Sequence, residues 1–504
     1  YRMAGFHTIC FLFAFLGKVQ GERLIWFADV HADPYYGTPD QQGSCDDTIS
    51  PFGGMGCDPP YALFESAVEA AAGLDLDPDA VLFTGDFTRH DQNLLKHPWR
   101  NVTDIIGNVT ATLTKSFPEQ HAALHIVVGA LGNDDSIVDY LIEDTTGHLK
   151  NAWLEAVAGR LAEEGTLLAP EMRGLAYGGA FVADVGGLTL LTINTIIYSI
   201  KREPMATHRR RDPFNQFKWL RRQLRKAADR GRKVWIVGHI APGIETYGYT
   251  ELWSPMYVEQ YLAIVQDEFL GPVIAAQLFG HVHADEFRVL PNPAVGTGPI
   301  LLSGAVSPIY WNNPSFRVVE YDSSGDLINY KAYYAELDDE TLVWRLGYDA
   351  KGAFPDLSTS DGLHAMPSSS GVESHRHGSV SNSAITMASY MQLARAMENG
   401  QIEGGWEPYI EWYKMKISND LETCATGNAE EQKRCQMDYM CAVTVRTQKS
   451  FDSCASYSVT TAAAVSSKPL RNYVSEGDIY SVREQYHAAR DHHQQWIHSG
   501  IIKG

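Results

Sequence analysis

The spacing of apolar residues predicts a layered α/β sandwich, mixed β-sheets flanked by helices, with a mainly helical C-terminal subdomain. Three observations lead there. From residue 24 to about 321, short β-branched or apolar runs alternate with longer amphipathic segments, the pattern of a domain built on a substantial sheet. Residues 352–383 are rich in Ser, Gly, Pro and His, which marks a loop. Beyond them the apolar period is helical. For a chain of 504 residues, one large domain with a smaller appendage is the ordinary expectation. The expected divisions are 1–21, 22–340, a linker or long loop over 341–383, and a helical subdomain over 384–504.

Residues 1–21 carry Arg2, an apolar segment over 9–16, and then Val19 and Gly21. This resembles a secretory signal peptide cleaved after Gly21. The apolar run is far short of the roughly 18 to 20 residues that span a bilayer, so no transmembrane anchor is expected. The strands are then expected in "RLIWFAD", "AVLFTGD", "HIVVGA", "LTLLTIN", "KVWIVGH", "AAQLFGH", "PILLSGA" and "FRVVEYD". Amphipathic segments over 60–73, 136–164, 213–230 and 255–268 supply the flanking helices, and 384–418, 428–448 and 474–497 the helical end. No internal repeat is visible.

Lys plus Arg number 41 against 61 Asp plus Glu, a net charge of −20. Such a surface repels polyanions, which excludes a nucleic-acid duplex as a general partner and requires any phosphate to be met by a local positive site. Two basic clusters interrupt the acidic background, "KREPMATHRRRD" over 201–212 and "RRQLRKAADRGRK" over 221–233. The first suits a phosphate chain if it is a loop near the site. The second has the character of a solvated helix face. Tyr35, Tyr36, Tyr247, Tyr249 and Trp253 are candidates for packing or for lining a cleft.

Of seven cysteines, Cys10 falls in the leader. Cys45, Cys57, Cys424, Cys435, Cys441 and Cys454 remain, and an even number in a secreted chain suggests disulfides. Cys45 with Cys57 would close a local loop, while the pairing of the last four stays open. Glycosylation sequons begin at Asn101 and Asn108. Together these features place the chain outside the cell or in a lysosome or vacuole lumen.

Five expected strands end in nitrogen or oxygen donors: Asp29 and His31, Asp86, Asn133, His239, and His281 with His283. Sites of α/β sheets form where strands hand such side chains to the following loops. One such residue would be ordinary; five ends in order are not. The set lacks thiolates, which suits Zn²⁺ without excluding Fe, Mn or Co.

These motifs resemble the calcineurin-like metallophosphoesterase superfamily. Within it, "GHIAPG", "AAQLFGHVHADEF", "DPFNQFKWLRRQL", "GCDPPYALFESAVEAA" and "NPSFRVVEYD" are similar to acid sphingomyelinase and the sphingomyelinase-like phosphodiesterases. "ADVHADPYYG" and "GDFTRHD" are similar to endopolyphosphatases. The resemblance covers roughly 22–340 and implies that this region is the catalytic domain of a two-metal enzyme. It implies that Asp29, His31, Asp86 and His283 hold one ion, and that Asp86, Asn133, His239 and His281 hold the other, with Asp86 bridging. The implied reaction is hydrolysis of a phosphodiester or phosphoanhydride by a metal-bound hydroxide.

One position departs from the family. Where many members carry a histidine that protonates the leaving oxygen, this chain has Asp134. A carboxyl with a reference pKa of roughly 3.9 is a poor acid at neutral pH unless shifted. Asp134 could act as the acid in an acidic compartment, His90 of "TRHD" could supply the proton, or Asp134 could only orient a ligand; His90 is favoured. A phosphoanhydride needs less proton assistance, which favours nucleotide or polyphosphate substrates. Sphingomyelin is less expected, since no saposin-like segment is read in the sequence. The expected protein is thus a monomeric, secreted or lysosomal/vacuolar phosphohydrolase using two divalent ions on a small phosphate ester, nucleotide or polyphosphate. Endopolyphosphatase is the alternative. From another class, the alternative is a silent binding protein that keeps the metal site.

Overall fold

All eight apolar runs form strands in the computed structural model of the chain, which describes residues 22–41, 50–148, 150–204, 210–337, 341–358, 383–444 and 446–456. The leader over 1–21, Cys45 and the helix expected over 474–497 lie outside the described residues. The first half contains β1 (Glu22–Phe27), α1 (Tyr61–Ala72), β2 (Ala80–Phe83), α2 (Pro98–Ser116), α3 (Pro118–Ala122), β3 (Ile126–Val127), α4 (Ala152–Glu163), α5 (Ala169–Gly178), β4 (Phe181–Val185) and β5 (Leu188–Thr192). There follow α6 (Gln216–Asp229), β6 (Val234–Val237), α7 (Pro255–Val265), β7 (Ile274–Phe279), β8 (Glu286–Arg288), β9 (Ile300–Leu302), β10 (Ser315–Tyr321), β11 (Leu327–Ala335) and β12 (Trp344–Asp349). The end is helical: α8 (Ala350–Ala353), α9 (Met387–Glu398), α10 (Glu407–Tyr413), α11 (Thr423–Thr426), α12 (Ala429–Thr444) and α13 (Gln448–Ser456).

The strands make two six-stranded mixed sheets, ordered β12-β11-β10-β1-β2-β3 and β4-β5-β6-β7-β9-β8. In the first, β1, β2 and β3 run parallel; in the second, β5, β6, β7 and β9 do. Parallel strands of this kind are covered on both faces, and β1 from Leu24 on, β2, β6 and β7 are accordingly buried and apolar apart from Gln277. Trp235 of β6 meets Tyr321 of β10 with ring centroids 5.4 Å apart, and Arg317 of β10 donates to the Leu302 carbonyl of β9 at 2.8 Å, so the two sheets share one core. The carboxyl ends of their parallel strands meet, and that is where the site forms.

Three expectations need correction. The helix expected over 136–164 begins only at α4. Ahead of it, the Asp135 carboxylate accepts the backbone N–H groups of Asp86, Phe87 and Gly132 at 2.7–2.9 Å and pins the segment to the β2 loop. Helix α2 was not expected, because its apolar face (Val102, Ile105, Ile106, Val109, Leu113) is built mostly from β-branched residues. The stretch over 341–383 is not wholly linker: β12 pairs antiparallel with β11 from Lys331↔Asp349 to Ala335↔Trp344 and extends the first sheet.

The C-terminal helices cover β8, β11 and β12 through aromatic side chains. Phe287 packs on Tyr390 and Tyr409 at 4.9 and 5.6 Å, and Tyr348 stacks on Trp412 at 5.4 Å. Cys424–Cys435 and Cys441–Cys454 are the disulfides of this layer. Among the described residues, no helix is long and apolar enough to cross a membrane. Leu393 of α9 is completely buried in the common core. Leu393→Ala is therefore expected to cost about 2–5 kcal/mol and lower the thermal midpoint of the whole α/β unit. An unchanged midpoint would mean that the helical layer is not part of its core.

Candidate metal centre

Strands β1, β2, β6 and β7 stop two to four residues before the polar side chains they deliver. The turn that aims these side chains inward is unusual. Asp29, His31, Asp86, His281 and His283 have φ of 52°, 46°, 56°, 77° and 53°, a left-handed region that costs non-glycine residues and gathers at functional sites. Backbone hydrogen bonds fix it: Asp29 donates to Gly85 at 3.0 Å, His31 to Asp86 at 3.0 Å, and Ser307 to Asp29 at 2.9 Å. Glycines stand where a side chain would collide with the site. A Cβ on Gly132 would strike Asp86, one on Gly280 would strike Asp29, and one on Gly85 would lie 2.9 Å from His239 Nδ1.

The side chains fall into two groups, Asp29 with His31 and His283, and Asp86 with His239 and His281, with donor atoms in each group within 4.8 Å of one another. Asp86 sits between them, its Oδ2 3.0 Å from His239 Nε2 and 3.4 Å from His31 Nε2. Asn133 joins the second group, with Oδ1 3.3 Å from His239 Nε2. Partners behind the donors set their orientation. The carbonyls of Thr88 and Thr84 accept from His31 Nδ1 and His239 Nδ1 at 3.0 and 2.8 Å, which leaves both Nε2 atoms facing the centre. Asn133 donates its amide N–H to Asp134 and Asp139, which turns its oxygen inward.

This constellation fits cations rather than a network of its own. Asp29 Oδ2 is buried without a hydrogen-bond partner, and His31 Nε2 faces His283 Nε2 at 3.0 Å. Burial pushes the Asp29 carboxyl up to about 8 against the pull of His239. Burial would lower His239, yet the facing Asp86 raises it to about 9. Asp86 in turn is held low by His239 despite its burial. Burial and neighbouring imidazoles hold His31, His281 and His283 well below the usual histidine range, as neutral donors. Oxygen and nitrogen donors without sulfur suit divalent ions of the zinc and iron type.

His90 stands at the rim, its ring stacked on His31 at 4.1 Å and its side chain 24% exposed. The sequence did not single out its partners. Asp58 accepts from His90 Nδ1 at 2.9 Å and from its backbone N–H at 3.1 Å, and the Tyr310 hydroxyl is 3.1 Å from Nε2. Burial alone would depress His90, but Asp134 and Asp58 hold it well above the usual range. Asp134 itself is 1% exposed; Gln92 and Asn133 donate to its carboxylate, and its Oδ2 is 3.6 Å from His90 Nε2. Asp58 was legible only as part of "GCDPP", and Gln92 and Tyr310 carry no sequence signal.

The remaining expected residues lie elsewhere. Asn101 and Asn108 are both on α2; Asn108 is exposed, and Asn101 is half-buried with its side chain accepting from the His97 N–H. Cys57 is disulfide-bonded, while its expected partner Cys45 is outside the described residues. Trp253 is completely buried, and Tyr249 stacks on Phe451 of α13, so neither lines the metal centre.

Residues 22–285 match the calcineurin-like phosphoesterase family, and the chain belongs to it. It is a metal-dependent phosphoric-ester hydrolase of the phosphodiesterase type. Among similar proteins, "Sphingomyelinase phosphodiesterase D" of Dictyostelium discoideum is 28% identical over 325 residues, 62% of this chain and 69% of that protein. "Acid sphingomyelinase-like phosphodiesterase 3b" of Homo sapiens is 30% identical over 361 residues, 66% of this chain and 76% of that protein. "Cyclic GMP-AMP phosphodiesterase SMPDL3A" of Homo sapiens is 26% identical over 348 residues, 64% of this chain and 72% of that protein.

The glycine nearest the Asp86 carboxylate gives the test of this geometry. Gly132→Ala is expected to lower bound metal and turnover by roughly tenfold or more and, because the added Cβ would also lie 2.5 Å from the Asp86 backbone N, to lower the thermal midpoint as well. Elemental analysis beside phosphodiester turnover checks it, and a fully metallated, active variant would contradict the crowding.

Proposed function

We propose that this enzyme cleaves small phosphodiesters, nucleotides foremost, with His90 delivering the proton to the leaving oxygen. One observation carries the reading: His90 lies stacked on His31 at the edge of the two donor groups, fixed by Asp58 and partly open to solvent. Asp29, His31, Asp86 and His283 would hold one divalent ion and Asp86, Asn133, His239 and His281 the other, zinc being the ion best suited to the donor set. Two such ions supply Lewis acidity toward phosphoryl oxygens and lower the pKa of water.

The chain's own residues do the rest. Asp86 sets the spacing of the two donor groups, since Oδ2 faces both and Oδ1 accepts the Asp134 backbone N–H at 2.9 Å. Asp58 holds the His90 ring with Nε2 directed at the rim, where a leaving oxygen would lie. Asp134, enclosed by Gln92 and Asn133, orients the Asn133 amide and pulls His90 toward its protonated form, though burial pushes its own carboxyl up. The acid and its orienting carboxylate then work as a pair.

A phosphoanhydride substrate is the second reading, favoured by a carboxylate where the family's histidine would stand, because a more acidic leaving group needs less help. Two described disulfides and the sequons support residence outside the cell or in a lysosome or vacuole lumen. Turnover of a nucleotide diester, sphingomyelin and inorganic polyphosphate by the purified, zinc-loaded enzyme tests the choice directly.

Asp86→Asn is expected to remove turnover and most of the bound metal together; an active, metal-replete variant would sink the proposed centre. His90→Ala should slow diesters with poor leaving groups at least about 100-fold and activated diesters far less. An imidazole that must be protonated gives activity at pH values below its pKa, lost as pH rises through it. Since Asp58 raises that pKa, Asp58→Asn should move the alkaline limb of log kcat/KM to lower pH. An unmoved limb would take the proton transfer away from His90.

A further inference from the structure

Helix α6 carries a basic stripe that phosphodiester chemistry does not use. Lys218, Arg221, Arg222, Arg225 and Lys226 share one face over about 12 Å of helix axis. Residues three or four apart on a helix are neighbours, so Lys218/Arg222, Arg221/Arg225 and Arg222/Lys226 each repel and destabilise the helix. Nearby cations are neutralised: Arg210 pairs with Asp144, Arg232 with Asp184 and Lys233 with Asp326, at 3.4, 3.0 and 3.1 Å. None of the five stripe residues has an ion pair among the described residues, in a chain whose net charge is −20. An acidic protein has kept this one helix free of acids along its basic face.

The stripe borders a groove of about 900 Å³ whose other walls include Tyr177, Trp219 and Gln260. Phe214 stiffens the wall from behind, its ring edge-on to Tyr177 at 5.9 Å. Two carboxylates also border the groove. Asp212 is occupied by the backbone N–H groups of Phe217 and Lys218 at 2.8 and 3.1 Å, and Asp229 closes the far end of α6. No residue of the metal centre lines it.

The shape narrows the ligand. A flat bilayer cannot enter a groove, and a bare phosphate chain has no apolar face to set against the half-buried rings of Tyr177 and Trp219. A sulfated sugar polymer has both, since its sulfates meet cations and its ring faces meet aromatic side chains. We propose that the α6 groove binds a linear sulfated polysaccharide, its sulfates paired with Arg221, Arg222 and Arg225 and its sugar rings laid against Tyr177 and Trp219. The enzyme would thereby be retained on an anionic carbohydrate matrix, with its metal centre left free.

A heparin-derived oligosaccharide of defined length, titrated into the metal-loaded full chain at physiological ionic strength, is the test. The parent should bind it, and the Arg222→Gln/Arg225→Gln double variant should bind at least about tenfold more weakly. Trp219→Ala should weaken it severalfold, and all variants should turn over a small diester like the parent, which shows that they fold. No binding by the parent, or undiminished binding by the double variant, would overturn the proposal. So would tighter binding of inorganic polyphosphate or of phosphatidylserine vesicles that Trp219→Ala leaves unchanged, which would give the stripe to another polyanion.

Discussion

Burial of carboxyl groups is the constraint around which this molecule is arranged. Asp29, Asp86, Asp134 and Asp135 are each no more than 1% exposed, and they crowd around the meeting point of the two sheets. An ionised carboxylate taken out of water without compensation costs several kcal/mol. Asp135 answers this with backbone N–H groups, and Asp134 with the amides of Gln92 and Asn133. Asp29 and Asp86 have no such complete answer: Asp29 Oδ2 is left without a partner, and Asp86 Oδ2 faces the imidazoles of His239 and His31. Left-handed backbone at five donors and glycines at 85, 132 and 280 follow from the same need. Side chains can converge this closely only if the chain turns sharply and gives up Cβ atoms around them.

The helical layer belongs to this scaffold rather than beside it. Asp285 lies two residues beyond His283; its N–H donates to the Tyr413 carbonyl at 3.0 Å, and its carboxylate pairs with the buried Arg317 of β10. Arg317 is itself held over the rings of Trp26 and Tyr330, at 5.1 and 4.6 Å. Lys414 reaches the His283 carbonyl at 3.2 Å, and Asn313, three residues from Tyr310, donates to Met415 at 2.8 Å. The C-terminal segment thus fastens the His283 loop and the Tyr310 loop at once.

Much of this was legible in the sequence because parallel strands leave a plain trace. Fully buried apolar runs that stop at Asp, Asn or His mark both the strand and its carboxyl end, as in "WFADVH" and "LFGHVH". What escaped was of two kinds. Antiparallel edge strands such as β8 and β12 are short or half-exposed, and in the sequence β12 follows a run of acidic residues, so their periodicity is weak. The partners of His90 come from distant parts of the chain, Asp58 before α1 and Tyr310 before β10, and no spacing joins them. Tertiary contact alone distinguishes Asp58 from any other aspartate near a cysteine. The helix expected through 136–151 failed for the opposite reason: its local pattern was helical, but Asp135 is bonded to the β2 loop, and tertiary hydrogen bonds overrode local preference.

The aspartate at 134 makes electrostatic sense in this setting. His31, His281 and His283 need to be neutral to donate to a metal, and burial together with mutual repulsion holds them so. His90, stacked on His31, needs the opposite state if it is to give a proton. A histidine at 134 would add another imidazole to this crowd and drive His90 toward its neutral form. A carboxyl there does the reverse: Asp134 near Nε2 and Asp58 on Nδ1 pull His90 toward its protonated form, while burial pushes the Asp134 carboxyl itself up and holds the His31 ring beneath toward its neutral form. The two stacked imidazoles, 4.1 Å apart, are pushed in opposite directions although Asp134 Oδ2 lies 3.6 Å from His90 Nε2 and 3.7 Å from His31 Nδ1: Asp58 pairs with His90, whereas burial and the neighbouring imidazoles act on His31. In the reading proposed for the site, the substitution at 134 moves the acid to a neighbouring histidine and supplies the charge that makes the move work.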